Sequence, residues 1–303
     1  MWSNGSAALD YLIGARTVPL LLTIMLFAAF GGIASAAFAI VFLWVREEHS
    51  AVILPHFVSF ATGALLGAAL LALLPEAMQG AGPTGGHRIG LALVAGLGVF
   101  FVIEKLVLWW HAHAHESAGD ARACPQHADD DGGPNSHLHP HVGHGHSGHD
   151  HARDHASGVL VLVGDSLHNA LDGVLIAAAF LANMQLGVLT TLAVAAHEIP
   201  HRVGDFAILV QAGLSRPRAL LLNLATGVAS VLGAALAYFG LREAQQALPY
   251  VLAFAAAGFL YIAVAGLIPG LHRRADARTS GIQVLLIAAG IAAIAGAEHL
   301  THR

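Results

Sequence analysis

The chain has 303 residues, 11% charged and 56% hydrophobic, with a mean hydropathy of +0.66. Soluble proteins are about 25% charged on average, so a water-soluble globular enzyme is excluded at the outset. The net charge of −5 sits mostly in one segment and constrains little, whereas the 21 histidines outnumber the 14 lysines and arginines together.

A bilayer core about 30 Å thick requires about 20 apolar residues per spanning helix. Thr17 to Val45 contains no Asp, Glu, Lys or Arg and is predicted to be the first such helix. It is too long for the apolar region of a signal peptide and lacks a convincing basic flank, so no cleaved leader is expected. His49 to Pro75 is the second window, and Ile89 to Ile103, running on through Glu104-Lys105 to Trp109-Trp110, the third.

The segment 111–156 then breaks the pattern. Its histidines, as in His137-Leu138-His139-Pro140-His141 and His144-Gly145-His146, number 12 of the 21 and are interleaved with Gly, Asp and Pro. Such a composition cannot support a packed core. A disordered loop is predicted, and its imidazoles suit a loose metal-gathering role. The plainer reading is a solvated linker. The single Cys124 excludes an internal disulfide framework and Cys-based zinc sites.

Two further apolar stretches follow, roughly Gly158 to Leu181 and Gly187 to Gly213, both interrupted by polar residues near their middles. Ala219 to Leu241, Ala244 to Leu271 and Thr279 to Ala297 complete the series. The prediction is an all-α polytopic membrane protein with eight transmembrane helices, residues 1–303 forming one domain. Gly and Ala are frequent enough for close helix packing. Leu73-Leu74-Pro75-Glu76-Ala77 and Leu267-Ile268-Pro269-Gly270-Leu271 end the second and seventh stretches alike, a weak echo of the inverted repeats of transporters.

Eight helices place both termini on one side. That side holds Arg16, Arg88, Arg242 and Arg303, against nine basic residues opposite: Arg46, Lys105, Arg122, Arg153, Arg216, Arg218, Arg273, Arg274 and Arg278. The positive-inside rule then puts both termini outside and the His-rich loop in the cytosol.

Ionisable groups at membrane depth are costly and mark functional sites by default. The fourth helix carries Asp165, His168, Asn169 and Asp172, and the fifth His197, Glu198, His201, Arg202 and Asp205. Each set falls on one helical face. His168 with Asp172 and His197 with His201, both i, i+4 pairs, supply four ligands of the kind zinc accepts. Pro200 removes a backbone hydrogen bond in the fifth helix and should kink it. A polar seam that merely joins two helices is the competing reading. A third reading takes His197-Glu198-Ile199-Pro200-His201 as the H-E-x-x-H of zinc metalloproteases, with Glu198 as general base. Against it, His168 would close a shell that a catalytic zinc must leave open to water.

His168-Asn169-Ala170-Leu171-Asp172-Gly173 and His197-Glu198-Ile199-Pro200-His201-Arg202-Val203-Gly204-Asp205-Phe206 resemble the fourth- and fifth-helix signatures of the ZIP (Zrt/Irt-like) metal transporters. The similarity is to the subfamily with HNxxDG and HExPHExGDF, and it extends along almost the whole chain. Phe100-Phe101-Val102-Ile103-Glu104-Lys105 resembles the third-helix FFxxEK, and Gly258-Phe259-Leu260-Tyr261-Ile262-Ala263 the seventh-helix GGFLYIA. The resemblance implies a transporter and not an enzyme, built as eight helices in a 3+2+3 bundle. It would move Zn²⁺ toward the cytosol across a plasma or inner membrane by an elevator-like motion. By the motif match His168, Asp172, His197 and His201 form the main metal site, flanked by Asn169 and Glu198.

Fe²⁺, Mn²⁺ and Cd²⁺ remain open as substrates, because affinity order is a poor guide to the transported ion. The partners expected are a divalent metal ion and the lipid bilayer. No nucleic acid is expected, and a homodimer is left open. A metal sensor that binds without transporting is the remaining rival.

The chain departs from the family pattern in three places. Arg202 stands where a second Glu is usual after HExPH, Ser230 where bimetal members carry a carboxylate, and Ala68, Gly266 and Gly270 where acidic residues are common. A cation four residues from Glu198 can pair with it, so Arg202 is expected to substitute for a second metal and leave one transported ion. Alternatively it points away and pairs with Asp205 or a lipid-side carbonyl.

Overall fold

The computed structural model describes residues 19–37, 47–116, 148–272 and 277–301, with side chains placed for 19–33, 35–37, 53–106, 162–271 and 279–300. Among them every regular element is helical. In chain order these are α1 (Pro19–Ala37); α2, built of Glu47–Gly67, a π turn over Ala68–Leu73 and Leu74–Ala81; and α3 (Gly86–Glu116). Next come α4 (Gly148–Ala182), α5 (Met184–Gln211) and α6 (Arg216–Glu243). Last are α7, built of Leu248–Tyr261, a π turn over Ile262–Leu267 and Ile268–His272, and α8 (Ala277–Thr301).

Among the described residues, six helices are long and apolar enough to cross a membrane: α1, α2, α3, α6, α7 and α8. The other two, α4 and α5, carry the polar stripes. The fourth helix begins ten residues before its expected start, at Gly148, and the third continues to Glu116. The flanks of the His-rich segment, 111–116 and 148–156, are therefore helical, and 117–147 lie outside the described residues.

Small residues set the packing. A Cβ on Gly173 of α4 would lie 1.8 Å from Ser230 O, and one on Gly233 of α6 would lie 2.0 Å from Ala170 O. The two backbones thus touch, the close approach that membrane helices achieve with small residues. The α2–α8 pair does the same at Gly63 and Gly290, where a Cβ would meet Ile287 O at 2.0 Å and Phe60 O at 2.3 Å. Aromatic contacts join α3 to α7, with the Phe100 ring 5.1 Å from Phe254 and 6.3 Å from Tyr261. Tyr261 also donates a hydrogen bond to Glu104.

One residue joins α4 to α5. Asn183 is extended (φ −160°, ψ 158°), and its side-chain oxygen accepts from Leu186 N at 2.7 Å, capping α5. That cap satisfies a backbone donor left free at the helix start. So short a link makes the two helices antiparallel neighbours.

Candidate metal centre

The tight link fixes which residues of the two helices face each other. His168 lies fifteen residues before Asn183 and His197 fourteen after it. At a rise of about 1.5 Å per residue both are about 22 Å from the turn. Asp165 and His201 each lie eighteen residues from it, about 27 Å away by the same measure. Two tiers result, one helical turn apart.

The inner tier gathers His168, Asp172, His197 and Glu198, whose ligand atoms all lie within 4.8 Å of one another. His168 Nε2 is 3.3 Å from His197 Nε2. Asp172 Oδ2 is 3.7 Å from the first nitrogen and 3.6 Å from the second, and Glu198 Oε2 is 3.9 Å from His168 Nε2. Two ligands bound to one tetrahedral zinc at about 2.0–2.1 Å sit about 3.3 Å apart, so these atoms hold nearly that spacing. Among the described residues no hydrogen bond reaches Asp172 Oδ2 or Glu198 Oε2, both buried. His197 is further held through Nδ1, 3.2 Å from Ala193 O, and Phe259 of α7 packs 6.2 Å from its ring. Fixing one ring nitrogen on a carbonyl orients the other toward a ligand.

The outer tier gathers Asp165, His201 and Asp205. His201 Nδ1 is 2.8 Å from Asp205 Oδ2 and 3.8 Å from Asp165 Oδ1. The His201 ring stacks on that of His168, with centroids 5.3 Å apart and planes 16° from parallel, so the tiers are contiguous. Both aspartates are buried, whereas the His201 side chain is 45% exposed.

Arg202 is fully buried between the tiers. Its Nε pairs with Glu198 Oε1 at 2.7 Å, and Nη1 with Asp165 Oδ2 at 3.0 Å. Nη2 donates to Asn169 Oδ1 at 2.7 Å and reaches Gly32 O at 3.5 Å. Nη1 also bonds Asn223 O, Asn223 Oδ1 and Thr226 Oγ1 on α6. One guanidinium thus touches α1, α4, α5 and α6. Of the two expectations for Arg202, the pairing with Glu198 is the one observed.

The six residues expected at the metal fall into three environments. His168, Asp172, His197 and Glu198 converge on the inner tier; His201 belongs to the outer tier; and Asn169 spends its amide on Asp165, by two hydrogen bonds of 2.9 Å, and on Arg202. Asn223 and Thr226 escaped sequence reasoning, being common residues in a helix with no charge to mark them. The H-E-x-x-H imidazoles, His197 and His201, lie in different tiers, which is unlike the shared metal of a protease.

Residues 18–298 match the sequence model of a family described as ZIP Zinc transporter. The chain is 35% identical to zinc transporter SLC39A7 of Rattus norvegicus, over 88% of this chain and 70% of that protein. It is 33% identical to zinc transporter ZIP13 of Danio rerio, over 80% and 75% of the two chains. It is 35% identical to the Homo sapiens ZIP13, over 82% and 71%.

Proposed function

The chain belongs to the ZIP zinc transporter family, an integral membrane transporter of metal rather than an enzyme, and from that premise we propose how it carries Zn²⁺. The ion binds at the inner tier, between His168, Asp172, His197 and Glu198, with His201 within reach one turn away. A single ion occupies it. Arg202 supplies the second positive charge, held by Glu198, Asp165 and Asn169.

The observation that carries this reading is the inner tier itself: two imidazole nitrogens and two carboxylate oxygens within 4.8 Å of one another, on helices bounded by a one-residue turn. Softer imidazole and harder carboxylate together suit zinc, and leave Fe²⁺, Mn²⁺ and Cd²⁺ as competitors for the same ligands.

The remaining architecture follows the family reading. Eight helices span the membrane in a 3+2+3 bundle, with α4 and α5 as the two spans whose polar stripes lower their hydropathy. The termini face outward, the His-rich segment lies in the cytosol, and metal moves inward across a plasma or inner membrane. The loop histidines collect the released ion. A homodimer is compatible with this scheme but not required by it.

Zinc flux into liposomes containing the full-length protein tests the proposal. Wild type takes up Zn²⁺ saturably; His197→Ala and Asp172→Asn do not, although both reconstitute as folded protein. Uptake by His197→Ala at the wild-type rate would refute the site, and zinc bound but never moved by wild type would make the protein a sensor.

A further inference from the structure

The inner tier shares one of its ligands with a cation. Glu198 Oε2 faces His168 Nε2 at 3.9 Å, while Oε1 is held by Arg202 Nε at 2.7 Å. Whatever positions the guanidinium therefore decides how much of the Glu198 charge an ion meets. Arg202 carries five N–H groups. Nε takes Glu198, and Nη2 takes Asn169 Oδ1 and Gly32 O. The two hydrogens of Nη1 are left facing four oxygens, Asp165 Oδ2, Asn223 O, Asn223 Oδ1 and Thr226 Oγ1.

Asn223 holds Arg202 from both ends. Its backbone and side-chain oxygens accept from Nη1, and its Nδ2 donates to the backbone oxygen of Arg202 at 3.0 Å. Its own place on α6 is fixed one turn further on, where Gly227 meets α1 and a Cβ on Gly32 would lie 2.8 Å from Gly227 O. The Asn223 side chain is buried and uncharged. It orients the guanidinium without neutralising it, as a carboxylate at the same place would.

Resting on the transport reading above, we propose that Asn223 is a positioning residue that sets the metal selectivity of the inner tier. With its neutral grip it keeps the Arg202 charge on Glu198 and Asp165. Glu198 then offers an ion a weakened oxygen, and the imidazoles of His168 and His197 dominate the ligand set. Imidazole suits Zn²⁺ and carboxylate oxygen suits Mn²⁺, so a neutral residue at 223 tilts a mixed site toward zinc.

The plainer role is structural, the satisfying of a buried guanidinium. Uptake of Zn²⁺ and Mn²⁺ by liposomes containing the full-length protein separates the two. Asn223→Leu loosens the guanidinium from Glu198. Half-saturation for Mn²⁺ is then expected to fall about tenfold, the scale of one unit charge acting through protein at about 10 Å. That for Zn²⁺ falls less, because imidazole carries more of its binding. Asn223→Asp keeps the acceptor oxygens, draws the guanidinium toward α6 and shifts Mn²⁺ the same way, which guards against a folding defect in the first variant. Added to Arg202→Gln, Asn223→Leu changes half-saturation no further, because the cation it positions is gone.

A structural role alone would lower the unfolding temperature and scale maximal uptake of both ions alike. Unchanged half-saturation for Mn²⁺ in both Asn223 variants overturns the positioning role. So does an equal shift for the two ions, or a full effect of Asn223→Leu on the Arg202→Gln protein. If wild type moves neither ion, the transport reading fails, and the same order of affinities, read by equilibrium dialysis, decides Asn223 separately.

Discussion

At the scale of single residues the seam turns on Arg202. A guanidinium buried without partners would be prohibitive, and this one is tolerated because its donors meet Glu198, Asp165, Asn169, Asn223 and Thr226. Breaking a buried pair by removing one partner costs about 3–5 kcal/mol. Arg202→Gln is therefore expected to lower the thermal unfolding midpoint in detergent by several degrees. Arg202→Lys should fall between the two, since an ammonium keeps the charge but not the planar fork. Arg202→Glu puts an anion among five oxygen-bearing side chains and should raise tightly bound zinc from one ion per chain to two, measured by elemental analysis after passage over a chelating resin. A value still at one would mean Arg202 is not standing in for a cation.

This residue was partly legible beforehand. The i, i+4 spacing from Glu198 foretold that ion pair, whereas the partners on α6 depend on a helix crossing that no local spacing encodes. His201 shows the complementary limit. Its i, i+4 relation to His197 places both on one face of α5, but their depth relative to α4 depends on the turn between the helices. With the helices bounded only roughly, at Leu181 and Gly187, the tiers could not be told apart; the single residue Asn183 separates them.

At the scale of elements, close approach governs how the helices hold the site. Gly173 and Gly233 let α4 touch α6 through their backbones, directly beside Ala170 and Ser230. That contact fixes α4, and with it His168 and Asp172, against the helix that supplies Asn223 and Thr226 to Arg202. Gly233→Val must push the helices apart, and overpacking of this kind costs about 1–3 kcal/mol. The variant should unfold at lower temperature and lose zinc uptake. Gly240→Ala, on the same helix with nothing within 4 Å of the added Cβ, should match wild type. Equal behaviour of the two would show that the crossing is not tight.

The uninterrupted apolar windows foretold α1, α2, α3, α6, α7 and α8, because membrane helices are written in hydropathy, whereas α4 and α5 form from stretches that polar residues interrupt. The helical ends were less legible. Gly148–His155 is polar and His-rich, and nothing in hydropathy marks it as the opening turns of α4.

At the scale of the whole molecule, the fold is a set of long helices in which, among the described residues, the buried acidic and basic side chains all lie on the hairpin of α4 and α5. The proposed orientation can be read from a native probe, since Cys124 is the one cysteine of the chain and lies in the His-rich segment. In sealed, right-side-out vesicles a membrane-impermeant maleimide should label Cys124 only after permeabilisation. Labelling of intact vesicles would reverse the topology and, with it, the direction assigned to transport.

The proposed transport depends on one ion held by the inner tier, and zinc K-edge X-ray absorption of the full-length protein carrying one equivalent of Zn²⁺ examines that most directly. The prediction is nitrogen and oxygen ligands at about 2.0 Å, imidazole scattering that diminishes in His197→Ala, and no zinc–zinc scattering near about 3.5 Å. A metal–metal distance, or a spectrum that His197→Ala leaves unchanged, would contradict it.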